Sequence, residues 1–565
     1  MENKPFIYSV FDIEGNGLLD VINQVWCFSY ATFNGKTLIK KGTLTNKKEI
    51  KAFIENAEIL VGHKIVEYDI PALEKVLEIK ISNKLIDTLG ISFYHYPVKG
   101  FVHGLAAWGE RFEFPKPVIK ENEWLGPLEG ETWEEFIAKM TNRCESDVEI
   151  NTRLFHFQMD YTMEIYNNNF DQVMRLFNYL GWKLDCLKEQ EAEKIKLDVR
   201  LAEKSKIDLE FIIDEKITSL AKHMPRQIDK VQPKVMYKKD GELSAHGHKW
   251  KELLKLKGLP EDATKITKIG SPTSPKQLKE WLFELGWIPQ TFKLNAKEKL
   301  VSQVSLPFGG GLCPSVIDLF SQHEYLEELG GLYRDRHRFG IFKSFLENKN
   351  EEDFIYARAQ GFTNTLRMMH SKPVVNLPGV GKYYGEEVRG CLTVPDDRYI
   401  MCGSDISGLE DNTKQHYIYF YDPDYVTEMR VPGFDPHIDI AVLAGLISKE
   451  DENFYKQIEA QKDSLGDDFK FSTEEEVKRY NNIKKARGEA KVINFSATYG
   501  AGAAKIASTL DCSLPFAEKL HETYWDRNAA VKKTAKACKV KTIKAQKWLY
   551  NPVSGFWMFL KAEKD

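Results

Sequence analysis

Four side chains that could bind a nucleotide recur at every fourth position late in the sequence. Arg487, Lys491, Phe495 and Tyr499 lie in the segment RGEAKVINFSATYG. Residues four apart in an α-helix share one face, so the spacing predicts a helical face with two cations followed by two aromatic rings. Cations can bind phosphates and rings can stack on a base. An amphipathic helix with a basic edge is the alternative, and the spacing alone does not separate the two.

A second set of residues could bind divalent metal ions. A strand-like apolar run at residues 6–11 leads into Asp12 and Glu14, whose spacing on a strand places both carboxylates on one face. Asp69 follows another short apolar stretch, and Asp147 lies in a segment with helical spacing. Such acids could hold two metal ions, one generating a hydroxide and one stabilising the leaving oxygen of a phosphodiester. Solvated acids at a strand end are the alternative for Asp12 and Glu14.

The composition is that of a large folded protein. The 565 residues allow about three or four domains, and the 42% hydrophobic content is enough for packed cores. The net charge of -4 does not indicate a general polyanion binder, although residues 222–257 and 527–547 are basic.

The eight cysteines form no C-x-x-C pair, which argues against a zinc ribbon or a disulfide framework. We find no signal-peptide pattern and no run of ~20 apolar residues, so we expect a cytoplasmic protein outside the membrane.

Five segments of the N-terminal part follow the order seen in the proofreading domain of phage-type family A DNA polymerases. They are FDIEGNG, GHKIVEYDIPAL, LIDTLGIS, HGLAAWG and CESDVEINTRLF. The resemblance implies a 3′-5′ exonuclease with a ribonuclease-H-like α/β fold. By the same resemblance, Asp12, Glu14, Asp69 and Asp147 would be its metal-binding acids.

One position departs from this family pattern. The family usually has a tyrosine four residues before the last acid, to orient the attacking water, and a related branch has a histidine five residues before it. Arg143 and Asn142 occupy these positions here. Because arginine stays protonated and cannot accept a hydrogen bond as a phenol can, we expect a slow exonuclease or one that orients its water differently.

The segment that begins near residue 161 is rich in Glu, Lys, Leu and Ile with helical spacing, and it resembles the polymerase thumb. The run SPTSPKQLKEWLFELGWIP predicts a further helix that ends by Gly286. Between them lies a basic insertion at about 222–268, where phage relatives can carry a processivity-factor site. The insertion could bind such a factor or the duplex backbone, and a solvated loop is the alternative. Residues 309–311 are three glycines without the Gly-Lys-Ser/Thr of a phosphate loop, which predicts a turn.

A turn-rich segment, TNTLRMMHSKPVVNLPGVGKYYGEEVRGCL, resembles the family's stretch that grips primer and template. It carries Arg367, His370, Asn376 and Arg389, with Arg367 in the threonine-x-arginine position. The guanidinium group of arginine can donate two hydrogen bonds to a phosphate or to acceptors in the DNA minor groove. A structural ion pair is the alternative for either arginine.

The next motif resembles the first catalytic motif of family A polymerases. Asp405 follows a strand-like apolar run at residues 399–402 and precedes a helix-like stretch through Phe420. The resemblance implies that Asp405 binds both catalytic Mg2+ ions, with Mn2+ as a substitute. Glu410 would then be the steric gate that selects deoxynucleotides.

RGEAKVINFSATYG follows in family order and resembles the fingers helix. By that resemblance Arg487 and Lys491 hold the incoming triphosphate, and Lys491 is the general acid on pyrophosphate. Phe495 stacks near the sugar and base, while Tyr499 occupies the template-base position until the helix closes.

The family also requires a second palm carboxylate in a His-Asp-Glu turn, and this triplet does not occur in the sequence. The last segment, WLYNPVSGFWMFLKAEKD, corresponds to a point before the final palm strands, and Glu563 and Asp565 lack a strand-turn-strand context. We therefore expect a second polypeptide to complete the palm.

These observations predict a multidomain α/β plus α+β protein. We expect a ribonuclease-H-like exonuclease domain at 1–160, a thumb-like region at 161–305, a partial right-hand palm at 306–425, fingers at 426–547 and the start of a returning palm segment at 548–565. The predicted function is that of a phage replicative DNA polymerase with a proofreading exonuclease, acting on primer-template DNA and dNTPs. The alternatives are a 3′-5′ exonuclease alone and a non-catalytic subunit that binds primer-template or dNTP.

Overall fold

The computed structural model describes residues 6–560, apart from residues 99, 296–298, 307–310, 407 and 511 and the side chain of Asp467. The chain divides into two compact units. The first unit comprises Met1–Met163 and Asn169–Met401, and the second comprises Glu164–Asn168 and Cys402–Asp565. Two of the three glycines at 309–311, and both Glu563 and Asp565, lie outside the described residues.

The first unit contains fourteen described strands and twelve described helices, the last residues of α5 belonging to the second unit. The strands are β1 (Ile7–Gly15), β2 (Val25–Asn34), β3 (Thr37–Leu44), β4 (Ile59–Gly62), β5 (Lys84–Asp87), β6 (Ile195–Leu197), β7 (Gln227–Val231), β8 (Lys265–Lys268), β9 (Phe292–Leu294), β10 (Leu300–Ser302), β11 (Phe354–Ile355), β12 (Ala359–Phe362), β13 (Met368–His370) and β14 (Leu392–Thr393). The helices are α1 (Lys47–Asn56), α2 (Asp69–Leu77), α3 (Thr88–His95), α4 (Leu105–Arg111), α5 (Trp133–Ile165), α6 (Phe170–Ala192), α7 (Val199–Ala221), α8 (Ala245–Leu256), α9 (Pro275–Glu284), α10 (Pro314–Ile317), α11 (Glu327–Asn348) and α12 (Gly385–Gly390).

A five-stranded mixed sheet of order β3-β2-β1-β4-β5 positions the N-terminal acids. β1 pairs antiparallel with β2 and parallel with β4, so it lies at the centre of the sheet. Its side chains Val10 and Phe11 are fully buried, as expected for a strand covered on both faces. β1 continues through Gly15, so Asp12 and Glu14 lie within the strand rather than after it, on one face as predicted.

The middle of the first unit is helical, as its spacing predicts. α7 packs along α11, and Leu220 of α7 and Leu332 of α11 belong to one buried apolar cluster that also contains Trp281 of α9. The helix predicted from SPTSP is α9, and Gly286 beyond its end has φ +90°, a conformation that glycine adopts without strain.

The basic insertion at 222–268 is folded, so a plain solvated loop is wrong for this segment. β7 and β8 form an antiparallel pair, and α8 lies between them in sequence. Met236, Trp250, Leu254 and Ile266 form a small apolar core of its own. This core could not be recognised from the sequence, because its few apolar residues are spread among many lysines.

The second unit contains eight described helices and one antiparallel sheet of order β15-β16-β17. Its elements are α13 (Leu409–Ile418), α14 (Pro423–Met429), α15 (Pro436–Leu443), α16 (Lys449–Leu465), α17 (Glu474–Thr498), α18 (Ala503–Leu510), α19 (Leu514–Arg527), α20 (Ala529–Ala537), β15 (Val540–Ile543), β16 (Gln546–Asn551) and β17 (Phe556–Leu560). Short 3-10 helices of the two units lie at Glu121–Glu123, Asp318–Ser321, Glu324–Leu326 and Gly466–Asp468.

α17 is the central helix of a buried cluster in the second unit. Ala490, Ile493 and Ala497 are fully buried and belong to the same cluster as Ile440 of α15 and Leu520 of α19. The helix predicted from the four-residue spacing is therefore confirmed. The face that carries Ala490, Ile493 and Ala497 packs into the buried cluster and holds the helix in the fold.

The strand predicted at residues 399–402 is wrong. This stretch has no regular structure, and Ile400 is 84% exposed. A strand needs a partner for its backbone groups, and none of the described strands pairs with this segment. Within the described residues, no helix is long and apolar enough to span a membrane.

Candidate functional site

The structure gathers the four predicted N-terminal acids, named here the acid cluster (Asp12, Glu14, Asp69 and Asp147). Carboxylate oxygens of Asp12 and Glu14 on β1 and of Asp147 on α5 lie within 4.8 Å of one another. Asp69 is the first residue of α2 and its side chain is buried. Its charge is among the causes that raise the pKa of Asp12 and of Glu14, so Asp69 lies near these two acids.

Burial is the main reason that the acid cluster resists full ionisation. It raises the pKa of Asp12 well above its usual value, with Asp147, Asp69 and Glu14 as further causes. Burial, then the charge of Asp147, raises the pKa of Glu14 to about 8. Burial, then the charge of Asp87, raises the pKa of Asp69 to about 7. Carboxylates crowded in this way favour a bound cation, which removes the repulsion between them.

Two protein cations already lie against the acid cluster. Nζ of Lys116 is 2.5 Å from Oδ2 of Asp147. Nε of Arg143 is 3.3 Å from Oε1 of Glu14 and 3.4 Å from Oδ2 of Asp147. Burial raises the pKa of Asp147, while Lys116 and Arg143 act against that rise. The residue at the family's tyrosine position is thus an ionic partner of the cluster.

The donor set of the acid cluster fits a hard divalent cation such as Mg2+ or Mn2+. All four residues offer carboxylate oxygens, the ligands that these ions prefer. Oε1 of Glu14 and Oδ1 of Asp147 are buried and have no hydrogen-bond partner among the residues that the structure describes. Oε1 of Glu14 has Nε of Arg143 as its ionic partner, whereas Oδ1 of Asp147 has no ionic partner among the described residues. A buried charged oxygen without a partner is costly, so Oδ1 of Asp147 is available to a cation.

In the second unit, the predicted nucleotide-binding residues line one side of α17. Arg487 is partly buried, and its Nε lies 2.6 Å from Oδ2 of Asp435. Lys491 is exposed, with Nζ 5.8 Å from the ring centroid of Phe495. Tyr499 caps the helix and is 74% exposed. This side of the helix is open to a ligand, whereas the opposite side is buried.

Asp405 lies before α13, and Glu410 lies in the first turn of that helix. Asp405 is exposed and has no regular structure, and Ser407 after it lies outside the described residues. Glu410 is also exposed. In the part of the chain that the structure describes, neither carboxylate forms an ion pair, so both are free to bind a cation.

The four predicted DNA-binding residues are exposed on the first unit. Arg367 lies in the turn between β12 and β13, and His370 ends β13. Asn376 lies in a loop, and Arg389 of α12 donates from Nε to the carbonyl of Pro378 at 2.7 Å. Neither arginine pairs with an acid among the described residues, so the ion-pair alternative is not observed. Their contact with DNA stays a prediction.

No protein-family model matches this sequence, and no curated protein matches it. Among solved structures, the fold is similar to the POL domain of Pol1 from M. smegmatis, described in complex with DNA primer-template and dNTP. The TM-score is 0.56 at 13% sequence identity, and the match covers 94% of this chain and 74% of that chain. The chain has a DNA polymerase-like fold.

Sequence reasoning missed two charged residues of this polymerase-like fold. Lys116 lies in a segment without regular structure, so no periodic pattern marks it, and only the fold brings it to Asp147. Asp435 is the N-cap of α15, where its side chain accepts from the backbone N–H groups of His437 and Ile438. An aspartate directly before Pro436 is a helix-start signal that could have revealed this cap, although not its pairing with Arg487.

Proposed function

We propose that this chain carries out template-directed addition of dNTPs to a primer 3′ end, as the main part of a phage-type family A DNA polymerase. The observation that carries the proposal is the open side of α17, where Arg487, Lys491, Phe495 and Tyr499 follow one another at four-residue intervals. Their cation and ring chemistry suits a nucleoside triphosphate, and the polymerase-like fold supports this assignment.

Each residue of this helix side has a role in the proposal. Lys491 and Arg487 bind the triphosphate, and Lys491 donates a proton to the leaving pyrophosphate. Phe495 packs against the sugar and base, and Tyr499 holds the template position while the site is open. To bind a phosphate, Arg487 must break its ion pair with Asp435, because a guanidinium bound to a carboxylate has fewer N–H groups left to donate to a phosphate.

The proposed metal site for polymerisation centres on Asp405, with Glu410 excluding ribonucleotides. Mg2+ or Mn2+ bound there would neutralise charge that develops on the triphosphate. The printed sequence has no His-Asp-Glu triplet, so in this proposal the second carboxylate comes from outside these 565 residues, supplied by a second polypeptide. The folded insertion at 222–268 is the proposed site for a processivity factor, and Arg367, His370, Asn376 and Arg389 are proposed to contact primer-template DNA.

A 3′-5′ exonuclease is the second candidate function, and the acid cluster favours it. Carboxylate oxygens of Asp12, Glu14 and Asp147 lie within 4.8 Å of one another, Asp69 is buried nearby, and Oδ1 of Asp147 has no hydrogen-bond partner among the described residues. A divalent ion held there would supply charge neutralisation for a phosphodiester and a more acidic water. The protein's own part is to hold that ion in a buried position and to place Arg143 beside it.

A single assay separates these functions. The chain is incubated with Mg2+, dNTPs and a labelled primer-template, alone and with a purified polypeptide that carries the His-Asp-Glu motif. The Asp405→Asn variant serves as the control for polymerisation, and the Asp12→Asn, Glu14→Gln double variant serves as the control for hydrolysis.

Extension that needs both Asp405 and the second polypeptide is the expected result. Extension by the chain alone would refute the need for an outside carboxylate. Shortening that disappears in the double variant supports the exonuclease. If the chain binds DNA and dNTP but neither extends nor shortens the primer in any combination, both enzymatic proposals fail and the non-catalytic subunit remains.

A further inference from the structure

A groove on the first unit lies between one side of α11 and the loop that follows β13. Its volume is about 360 Å3, and we name it the basic groove. None of the residues that line it in the described structure is acidic. Its lining includes Arg336, His337, Gly340 and Ile341 of α11 and Lys372 and Asn376 of the loop. The helix residues share one side of α11, because they form two pairs with a spacing of four.

The positive charges of the basic groove are not neutralised by the protein. Arg336 and Lys372 are exposed, and neither forms an ion pair in the described part of the chain. Asp335, the neighbouring acid of α11, is fully buried and is already paired at 2.5 Å with a lysine of α7. Burial, then the charges of Arg338 and Lys372, lowers the pKa of His337. Cations that repel one another in this way favour a bound anion, which removes the repulsion.

Gly340 leaves space for a ligand at the helix backbone. It lies in the interior of α11, where glycine is less favourable than alanine. A Cβ atom at this position would meet no atom within 4 Å, and the backbone does not have the left-handed φ that favours glycine. Neither packing nor backbone conformation therefore requires glycine here. The missing side chain instead lets a ligand in the groove approach the helix closely.

We propose that the basic groove binds the phosphodiester backbone of primer-template DNA, with Arg336 and Lys372 as its phosphate-binding residues. The inference rests on the proposed polymerase function for the identity of the ligand and adds a contact site to it. Guanidinium and ammonium groups donate to phosphate oxygens, and Ile341 offers an apolar surface to a sugar. The position of the groove favours DNA over an acidic protein segment. Lys372 follows His370 by two residues and Asn376 lines the groove, and His370 and Asn376 are proposed DNA contacts.

The test measures binding of the full chain to a fluorescently labelled primer-template by fluorescence anisotropy, over a series of KCl concentrations. EDTA in the buffer prevents turnover of the DNA. Arg336→Gln and Lys372→Gln each remove one charge from the groove. Lys343→Gln is the matched control, because Lys343 is an exposed residue of the same helix that does not line the groove. Urea titration establishes that each variant is folded.

Each groove variant should bind the DNA roughly fivefold to tenfold more weakly at about 0.1 M KCl. It should also reduce the steepness of log affinity against log salt by about 0.9, because one phosphate contact fewer releases that many fewer counterions. Lys343→Gln should leave both quantities close to those of the parent.

Unchanged affinity and steepness in either groove variant would overturn the inference, and an acidic protein segment would then be the candidate occupant. An equal loss in Lys343→Gln would also overturn it, because the effect would then be one of net charge. In both cases the polymerase proposal stands as long as the parent binds the primer-template. A parent that does not bind this DNA would refute the polymerase proposal together with the inference.

Discussion

The ion pair between Arg487 and Asp435 gives a direct test of the nucleotide-binding side of α17. If Arg487 binds a triphosphate, it must first leave Asp435, whose Oδ2 lies 2.6 Å from its Nε. Asp435→Asn removes the charge of the partner but keeps a good N-cap for α15, because asparagine caps helices as well as aspartate. We therefore expect this variant to bind dNTP more tightly than the parent.

The size of the effect follows from the exposure of the pair. The side chains of Arg487 and Asp435 are 33% and 21% exposed, so water screens part of their attraction. A pair of this kind is worth about 1 kcal/mol, near the upper end of the range for exposed pairs. Releasing that energy should lower the dNTP dissociation constant roughly fivefold. The same loss should lower the free energy of unfolding by about 1 kcal/mol, and Asp435→Ala, which also loses the cap, should lower it by about 2 kcal/mol.

Isothermal titration of the chain with a dNTP in Ca2+ measures this affinity without turnover. Asp439→Asn is the matched control, because Asp439 lies on the same helix and pairs with Arg527 at 2.9 Å, with similar exposure. An unchanged or weaker dNTP affinity in Asp435→Asn would refute the release of Arg487. An equal gain in dNTP affinity in Asp439→Asn would show that the gain comes from a less stable α15 and not from the release of Arg487.

Three further predictions concern other residues of the two candidate sites. Phe495→Tyr should raise incorporation of dideoxynucleotides relative to deoxynucleotides by an active assembly, as the family resemblance implies, and an unchanged ratio in primer extension would contradict the position of Phe495. Arg143→Tyr should speed the shortening of single-stranded DNA, because it restores a group that can orient water, and no gain in rate would exclude Arg143 as the limiting residue. In metal-free buffer the free energy of unfolding should fall as pH rises from about 4.5 towards 8, because Glu14, with a pKa of about 8, keeps in the folded chain a proton that the unfolded chain releases. Urea titrations should show a slope up to about 1.4 kcal/mol per pH unit smaller in Glu14→Gln, and an identical slope would argue against the raised pKa.

The parts of the structure that local patterns determine could be predicted from the sequence. The spacing of Arg487, Lys491, Phe495 and Tyr499 predicts a helix, because the period of a helix is set by neighbours within a few residues. Asp12 and Glu14 share a face of β1 for the same reason. The meeting of these acids with Asp69 and Asp147 needed the family order of motifs, since no local rule joins β1 to α2 and α5.

The parts that depend on distant partners could not be predicted. The apolar run before Asp405 has the composition of a strand, but it finds no partner among the described strands and stays exposed. The sequence left a solvated loop as an alternative for the basic insertion, because its folded state depends on four scattered apolar residues, Met236, Trp250, Leu254 and Ile266. Lys116 reaches Asp147 through a segment with no periodic pattern.

The candidate sites share one electrostatic property, which sets how their ligands must bind. In the acid cluster, Lys116 and Arg143 already occupy acid oxygens, and on α17, Asp435 already occupies Arg487. A ligand that displaces such a partner gains only the difference between the new contact and the old one. Lys491 differs, because it is exposed and forms no ion pair within the described residues, so its full charge is available. A triphosphate should therefore meet Lys491 first and engage Arg487 only after Asp435 is released, which makes Asp435 a determinant of nucleotide affinity although it contacts no nucleotide itself.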